Sequence, residues 1–432
     1  MTVHVVSAGE NLWSISNRYN VSIDTIVRVN GLTTTTAIVP GLALYLPDNT
    51  LPTRVYQIKA GDSLWEIAQQ FSSSLSSILA ANPGIDINQL PLGQVINIPS
   101  PNKLVIRTLG FLVPSEMTAT LSTLNSLSGQ LSYVAVVNYS FSSEGFASYQ
   151  IDDSAIITRC KQLSITPLLM IRNYTMSGFS AELAGGVLEN PTYRQNLVTS
   201  IVTLVTSRGF GGVSLDLEFI PPARRNDFTL FLQALKQQLG DLLLNVNVHA
   251  KAEDLPTNRI VGAYDYAAIG NAVDLMAVMT LDYGYPGGPP DPISPLPWVD
   301  QVVKYALTLV NPQKLLMAMP LYGYDKMTTT NITRGLSVVA AQNKAITLGA
   351  PIQYDPTAKS PWYRYGSGTE EHIVWFEDIR SYIEKYKLID RYNLVGTTFW
   401  QISLPAPQNW AFLSKDIMVE KSRNLGVRPP LS

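Results

Sequence analysis

The chain has 432 residues, too many for one ordinary domain and ample for a barrel of roughly 250–350 residues with small modules attached. Its net charge of −2 and charged share of 15%, against about 25% in ordinary globular proteins, provide no basic field to hold a polyanion, so no nucleic-acid partner is expected. A single cysteine, Cys160, excludes an intramolecular disulfide and a cysteine metal cluster, and His4, His249 and His372 are too scattered to argue for zinc. Neither a metal nor a cofactor is therefore expected. The polar surface must come from Ser, Thr, Asn and Gln, which with 7 Trp, 21 Tyr and 12 Phe suits an uncharged sugar polymer. The segment Met1–Ser7 lacks a basic stretch followed by a long apolar core, so no secretory signal is expected and synthesis in the cytoplasm is. No run of about 18 apolar residues occurs, so no membrane span is expected.

The first hundred residues are a repeat. Ala8-Gly9-Glu10-Asn11-Leu12-Trp13-Ser14-Ile15 returns as Ala60-Gly61-Asp62-Ser63-Leu64-Trp65-Glu66-Ile67, and the offset of 52 holds to Pro47 and Pro99. Each unit, 2–48 and 54–100, reads strand, helix, helix, strand. Val3–Val6 and Val55–Ile58 open the units, and Ala43–Leu46 and Val95–Ile98 close them. Leu12, Ile15 and Tyr19 fall on one helical face, as do Leu64, Ile67 and Phe71; second helices are expected over Ile23–Val29 and Ser76–Ala81. Trp13 and Trp65 are assigned to the module cores. The units resemble LysM modules, which bind N-acetylglucosamine-containing glycans. That resemblance implies sugar contacts near Ser7–Asn11 with Asn30–Leu32, and near Lys59–Ser63 with Asn82–Gly84.

From residue 103 to 432 apolar strands alternate with helical stretches, the pattern of a parallel α/β domain. Strands are expected near Val105–Phe111, Tyr133–Tyr139, Thr166–Ile171, Gly212–Glu218, Leu242–His249, Leu275–Thr280, Leu315–Pro320 and Leu394–Trp400. Eight such units predict a (β/α)8 TIM barrel with its chemistry at the C-terminal strand ends. An interval at about 325–392, containing Ile352-Gln353-Tyr354 and His372-Ile373-Val374-Trp375-Phe376, predicts a small α+β insertion walling the substrate cleft.

The fourth of these strands carries the chemistry. In Gly211-Gly212-Val213-Ser214-Leu215-Asp216-Leu217-Glu218-Phe219, Ser214, Asp216 and Glu218 share one face and Val213, Leu215 and Leu217 the other. Two carboxylates so close on a buried face push their pKa values apart, which suits general acid/base work on a glycosidic bond. Asn245, Asn247 and His249 alternate along the next strand. Facing inward, they would reach Ser214 or Asp216; with the opposite parity they meet solvent or helices.

The segment resembles the Asp-Gly-x-Asp-x-Asp-x-Glu strand of family-18 glycoside hydrolases, with Gly211 and Ser214 standing where the first two acids belong. The resemblance implies Glu218 and Asp216 as catalytic residues, with Ser214 positioned to donate a hydrogen bond to Asp216. Met279-Thr280-Leu281-Asp282-Tyr283 is similar to the sixth-strand segment, with Leu281 in place of a tyrosine for which Tyr283 or Tyr285 would substitute. Trp400 matches the floor of the cleaved sugar's subsite. Asp282, Tyr283, Tyr322, Ser214 and Trp400, with Asn247 from the alternation of the fifth strand, are expected to bind substrate. Tyr283–Pro290, Pro320–Asp325, Leu404–Trp410 and the paired modules together resemble the spore cortex-lytic N-acetylglucosaminidases of endospore-forming bacteria. Likeness to those enzymes implies a monomer made in the mother cell, deposited in the coat or cortex region of the spore, that binds peptidoglycan or another N-acetylglucosamine polymer. It would cleave after N-acetylglucosamine with retention, the substrate's own acetamido group acting as nucleophile. A chitinase and a non-catalytic chitinase-like lectin are the alternatives; the retained Glu218 counts against the lectin.

Overall fold

The computed structural model describes residues 2–421. Each N-terminal unit is a two-stranded antiparallel sheet carrying two helices. Thr2–Val5 pairs with Ala43–Leu46, and Thr53–Gln57 with Val95–Pro99. One asparagine per unit locks the second helix onto the closing strand. The Asn30 amide donates to the carbonyls of Ile26 and Tyr45, and its oxygen accepts from the Tyr45 N–H at 2.7 Å. Asn82 repeats this pattern with Ile78 and Asn97.

Two expectations for the modules fail. Trp13 and Trp65 are 68% and 64% exposed rather than buried. Each lies one residue, about 100° of helix, beyond the buried Leu12 or Leu64, and so turns to solvent. The glycan groove implied for the first unit is also altered: Asn30 is buried with its hydrogen bonds satisfied, and Gly31 sits against Pro407 and Val339. In the second unit Pro83 and Gly84 stay exposed.

The barrel closes as expected. Leu104–Leu112, Tyr133–Phe141, Thr166–Arg172, Gly212–Asp216, Leu243–His249, Leu275–Met279, Leu315–Pro320 and Gly396–Trp400 form a continuous parallel ring, the last pairing with the first. Alternation along the strands creates two cores. Leu109, Phe111, Leu168, Met170, Leu243 and Leu316 fill the interior, while Val213, Leu215 and Leu217 pack outward beneath the helices. Burial of this outer layer follows the roughly 25 cal/mol per Å² gained for apolar surface.

After the seventh strand, Tyr322–Met327, Thr333–Ser337, Gln353–Asp355, Ser360–Tyr365 and His372–Trp375 form a five-stranded antiparallel sheet backed by the helix Val338–Leu348. The sheet begins at Tyr322, just before the expected interval of about 325–392, and that interval also takes in the helix Ile379–Arg391, which packs on the barrel.

The first module shares a core with this insertion: Leu12, Ile15, Ile26 and Leu44 pack in one cluster with Ala341, Ala345, Ile346, Ile352 and Phe376. Hydrogen bonds from the Thr33 N–H to Asn343 (3.0 Å) and from the Ile352 N–H to the Pro40 carbonyl (2.9 Å) stitch the seam. The second module has its own core around Ile58, Ile67, Ile78 and Ile96. Arg54 fixes it to the barrel, its guanidinium forking onto Asp390 at 2.9 and 2.7 Å.

Candidate active site

Two glycines let the fourth strand pack. A Cβ at Gly212 would lie 2.1 Å from the Leu243 carbonyl oxygen, so the close approach to the fifth strand requires glycine. A Cβ at Gly211 would lie 2.4 Å from the Thr166 methyl, so the aspartate that the family pattern has there would require the Thr166 side chain to move.

Beyond Gly212, parity directs Ser214 and Asp216 inward. Both are buried, Asp216 being 4% exposed. The fifth strand answers in register, also facing inward. Asn247 Nδ2 donates to Asp216 Oδ1 at 3.1 Å, and Asn245 Nδ2 donates to Ser214 Oγ at 2.9 Å and to Asn247 Oδ1 at 3.0 Å. Ser214 therefore accepts from Asn245, and Asn247 serves Asp216 in the way expected of Ser214. Burial, and secondarily the charge of Glu218, push the Asp216 carboxyl up to about 7; Asn247, Arg172 and His249 pull in the other direction.

The strand ends at Asp216, and Glu218 lies just past it. Its backbone is held from the third strand's end: Asn173 Oδ1 accepts from the Glu218 N–H, and Asn173 Nδ2 donates to the Glu218 carbonyl, both at 2.8 Å. The Tyr264 hydroxyl holds the preceding carbonyl of Leu217 at 2.7 Å. His249 Nε2 lies 3.2 Å from Glu218 Oε2. The next residue, Phe219, takes φ 55°, an uncommon conformation for an aromatic residue.

Above this pair opens a cavity of about 350 Å³ lined by residues that include Asp216, Glu218, Asn247, His249, Asp282 and Trp400. Trp400 packs 5.6 Å from Phe111. Asp282 Oδ1 accepts from the hydroxyls of Tyr322 (2.6 Å) and Tyr324 (2.8 Å), and burial raises its carboxyl above the usual range. Four of the residues expected to serve the substrate do not line this cavity. Ser214 lies a layer beneath the cavity, and Tyr322 supports Asp282 from behind without lining the cavity. Tyr283 turns out to the rim, its ring 5.3 Å from that of Trp298, and Tyr285 is 55% exposed. Leu281, which stands where the family has a tyrosine, itself lines the cavity. Asn173, Tyr324 and Phe179 went unforeseen. Only the adjacency of strands three and four joins Asn173 to Glu218, although a polar residue ending an apolar barrel strand was a signal within the sequence.

The family model "Glycosyl hydrolases family 18" matches residues 126–404, and the LysM domain model matches 4–47 and 56–99. YdhD of Bacillus subtilis (strain 168) is 36% identical over 94% of this chain and 96% of its own. The cortical fragment-lytic enzyme of Bacillus anthracis is 30% identical over 96% of this chain and 98% of its own. The crystal structure of the Bacillus cereus spore cortex-lytic enzyme SleL superposes with a TM-score of 0.83 at 29% identity, covering 97% of this chain and 99% of that one.

Proposed function

Since the chain belongs to glycosyl hydrolase family 18 and carries two LysM domains, we propose that it cleaves the β-1,4 bond after N-acetylglucosamine in spore cortex peptidoglycan, with retention and assisted by the substrate. The observation that carries this reading is the pair Asp216 and Glu218, two residues apart at the floor of one cavity, Asp216 buried and pushed up to about 7. Carboxyls rising from one strand end lie on the same side of a bound sugar and cannot serve as acid and nucleophile on opposite faces of its ring, as the flanking pair of ordinary retaining enzymes does.

In the proposed mechanism the acetamido carbonyl oxygen of the bound sugar attacks its own anomeric carbon. Glu218 gives its proton to the leaving oxygen, and the C–O bond breaks to leave an oxazolinium ion. Asp216 accepts a hydrogen bond from the acetamido N–H and stabilises that cation. Burial favours the protonated form of Asp216 in the free site, and an acetamido N–H offered to its carboxylate favours the ionised form that stabilises the cation. Glu218 then deprotonates water attacking the same face. Trp400 supplies an apolar floor for the sugar's C–H face.

The names of the B. anthracis and B. cereus relatives support the cortex as substrate and the spore as the place of action. The LysM domains would hold the glycan, the second through the exposed loops around Lys59–Ser63 and Pro83–Gly84. The test compares cortex fragments with fragments whose cleaved sugar lacks its N-acetyl group, products being identified by mass spectrometry. Cleavage of the acetylated fragments alone, abolished by Glu218→Gln, is expected. Comparable cleavage of the free-amine substrate would refute the mechanism, and chitin oligosaccharides cleaved in preference to cortex would refute the substrate.

A further inference from the structure

Arg172 ends the third barrel strand in register with Asp216, its direct neighbour across the ladder. Leu168 and Met170 of the same strand fill the barrel interior, so parity turns Arg172 inward, toward the cavity mouth. Its guanidinium lies 4.5 Å from the centre of the Tyr174 ring and 6.0 Å from that of Phe179, which lines the cavity. Stacking of this kind satisfies the faces of the group and leaves its edge donors free.

Those donors are unused. Nε is buried without a hydrogen-bond partner, and among the described residues the guanidinium makes neither a hydrogen bond nor an ion pair within 4 Å. This contrasts with Arg54, Arg194, Arg208 and Arg225, each of which forks onto or pairs with a carboxylate. A half-buried cation with free donors beside the reacting centre calls for an acceptor that the chain itself does not provide, because unsatisfied donors in such a place are costly. Asp216 and Glu218 act on the guanidinium electrostatically, yet neither pairs with it directly, so its edge donors stay unmet by the cavity floor.

We propose that Arg172 determines specificity for acidic glycans by binding a carboxylate borne by the sugar chain in the cleft, of the kind that a 3-O-lactyl ether places on an amino sugar. The inference rests on the glycan-cleaving reading of this cavity and adds the charge of its substrate. A planar fork meeting a carboxylate gives paired charge-assisted hydrogen bonds, worth about ten- to hundredfold in affinity.

The test is calorimetric titration of the full chain carrying Glu218→Gln, so that nothing is consumed. Three ligands are compared: a peptidoglycan tetrasaccharide with free lactyl carboxylates, its methyl ester, and chitotetraose. Adding Arg172→Gln is expected to weaken binding of the acid by about ten- to hundredfold, and binding of the ester and of chitotetraose by less than about threefold. Arg172→Lys, keeping the charge without the fork, should fall between. Equal weakening for all three ligands would mean that Arg172 acts only on Asp216 and Glu218, and unchanged affinity for the acid would remove it from recognition; either result overturns the proposal. Chitotetraose binding also reports that each variant is folded. Failure of the native chain to cleave any of these glycans would instead refute the proposed function, while the affinity comparison would still read the role of Arg172.

Discussion

Replacing Asn247 by leucine, of similar shape, removes the one hydrogen bond found for the Asp216 carboxylate among the described residues. A hydrogen bond to a charged group is worth about 1.5–3 kcal/mol, and 1.36 kcal/mol corresponds to one pKa unit, so Asp216 should rise by about 1–2 units from its value of about 7. Activity should change in two ways. The alkaline limb of the kcat/KM profile, where the pair loses its shared proton, moves up by that amount. The plateau falls by about ten- to a hundredfold, because the form with Asp216 ionised becomes scarcer by tenfold per unit. Stability supplies an independent check on the sign. A carboxylate whose folded pKa is raised destabilises the fold as pH rises, since the folded state then holds a proton that the unfolded chain has released. The variant's extra deficit should be absent below about pH 6 and fully present above about pH 9, as read from thermal melts across that range. An unchanged plateau with an unmoved alkaline limb would refute the electrostatic role given to Asn247.

Lys385 and Glu377, both essentially buried, meet at 2.8 Å. Lys385→Met should cost about 3–5 kcal/mol in urea unfolding by stranding the carboxylate, and the loss should shrink at low pH, where Glu377, already raised by burial, takes up a proton. A loss below about 1 kcal/mol would contradict this. Deleting residues 1–48 should expose Ala341, Ala345, Ile346 and Ile352 and lower the melting temperature of the remaining chain. A truncated chain that melts like the full one would show the first module to be a passive appendage.

Where a pattern is local, the sequence carried it. The alternation through Ser214, Asp216 and Glu218 announces a half-polar strand, and eight apolar runs at βα spacing announce a closed barrel. Period-two parity on the fifth strand offered Asn245 and Asn247 as partners, yet both orientations were open until the ring fixed which face turned inward. Trp13 and Trp65 went astray because a large aromatic residue beside Leu12 or Leu64 reads as core unless the 100° step is respected. Asn173 and Glu218 stand 45 residues apart, and Tyr324 meets Asp282 from the edge of the insertion. Such contacts arise from tertiary adjacency, which residue spacing does not encode. Docking of the first module onto the insertion was invisible for the same reason: its buried residues, such as Leu12 and Ile15, are those that any free-standing module would bury.

The forked contact between Arg54 and Asp390 bears on how an insoluble polymer is attacked. A carbohydrate module on a loose string lets its enzyme sweep a sphere around the point of attachment, at an effective concentration set by the string. Here the second module is bolted to the same barrel that holds the cleft, and no slack lies between them. A strand gripped by that module meets the cleft at one reach and one bearing, as between the points of a caliper. On the proposed function, the next bond would come within range only when the grip is released, so a module that held too tightly would slow the erosion of the polymer.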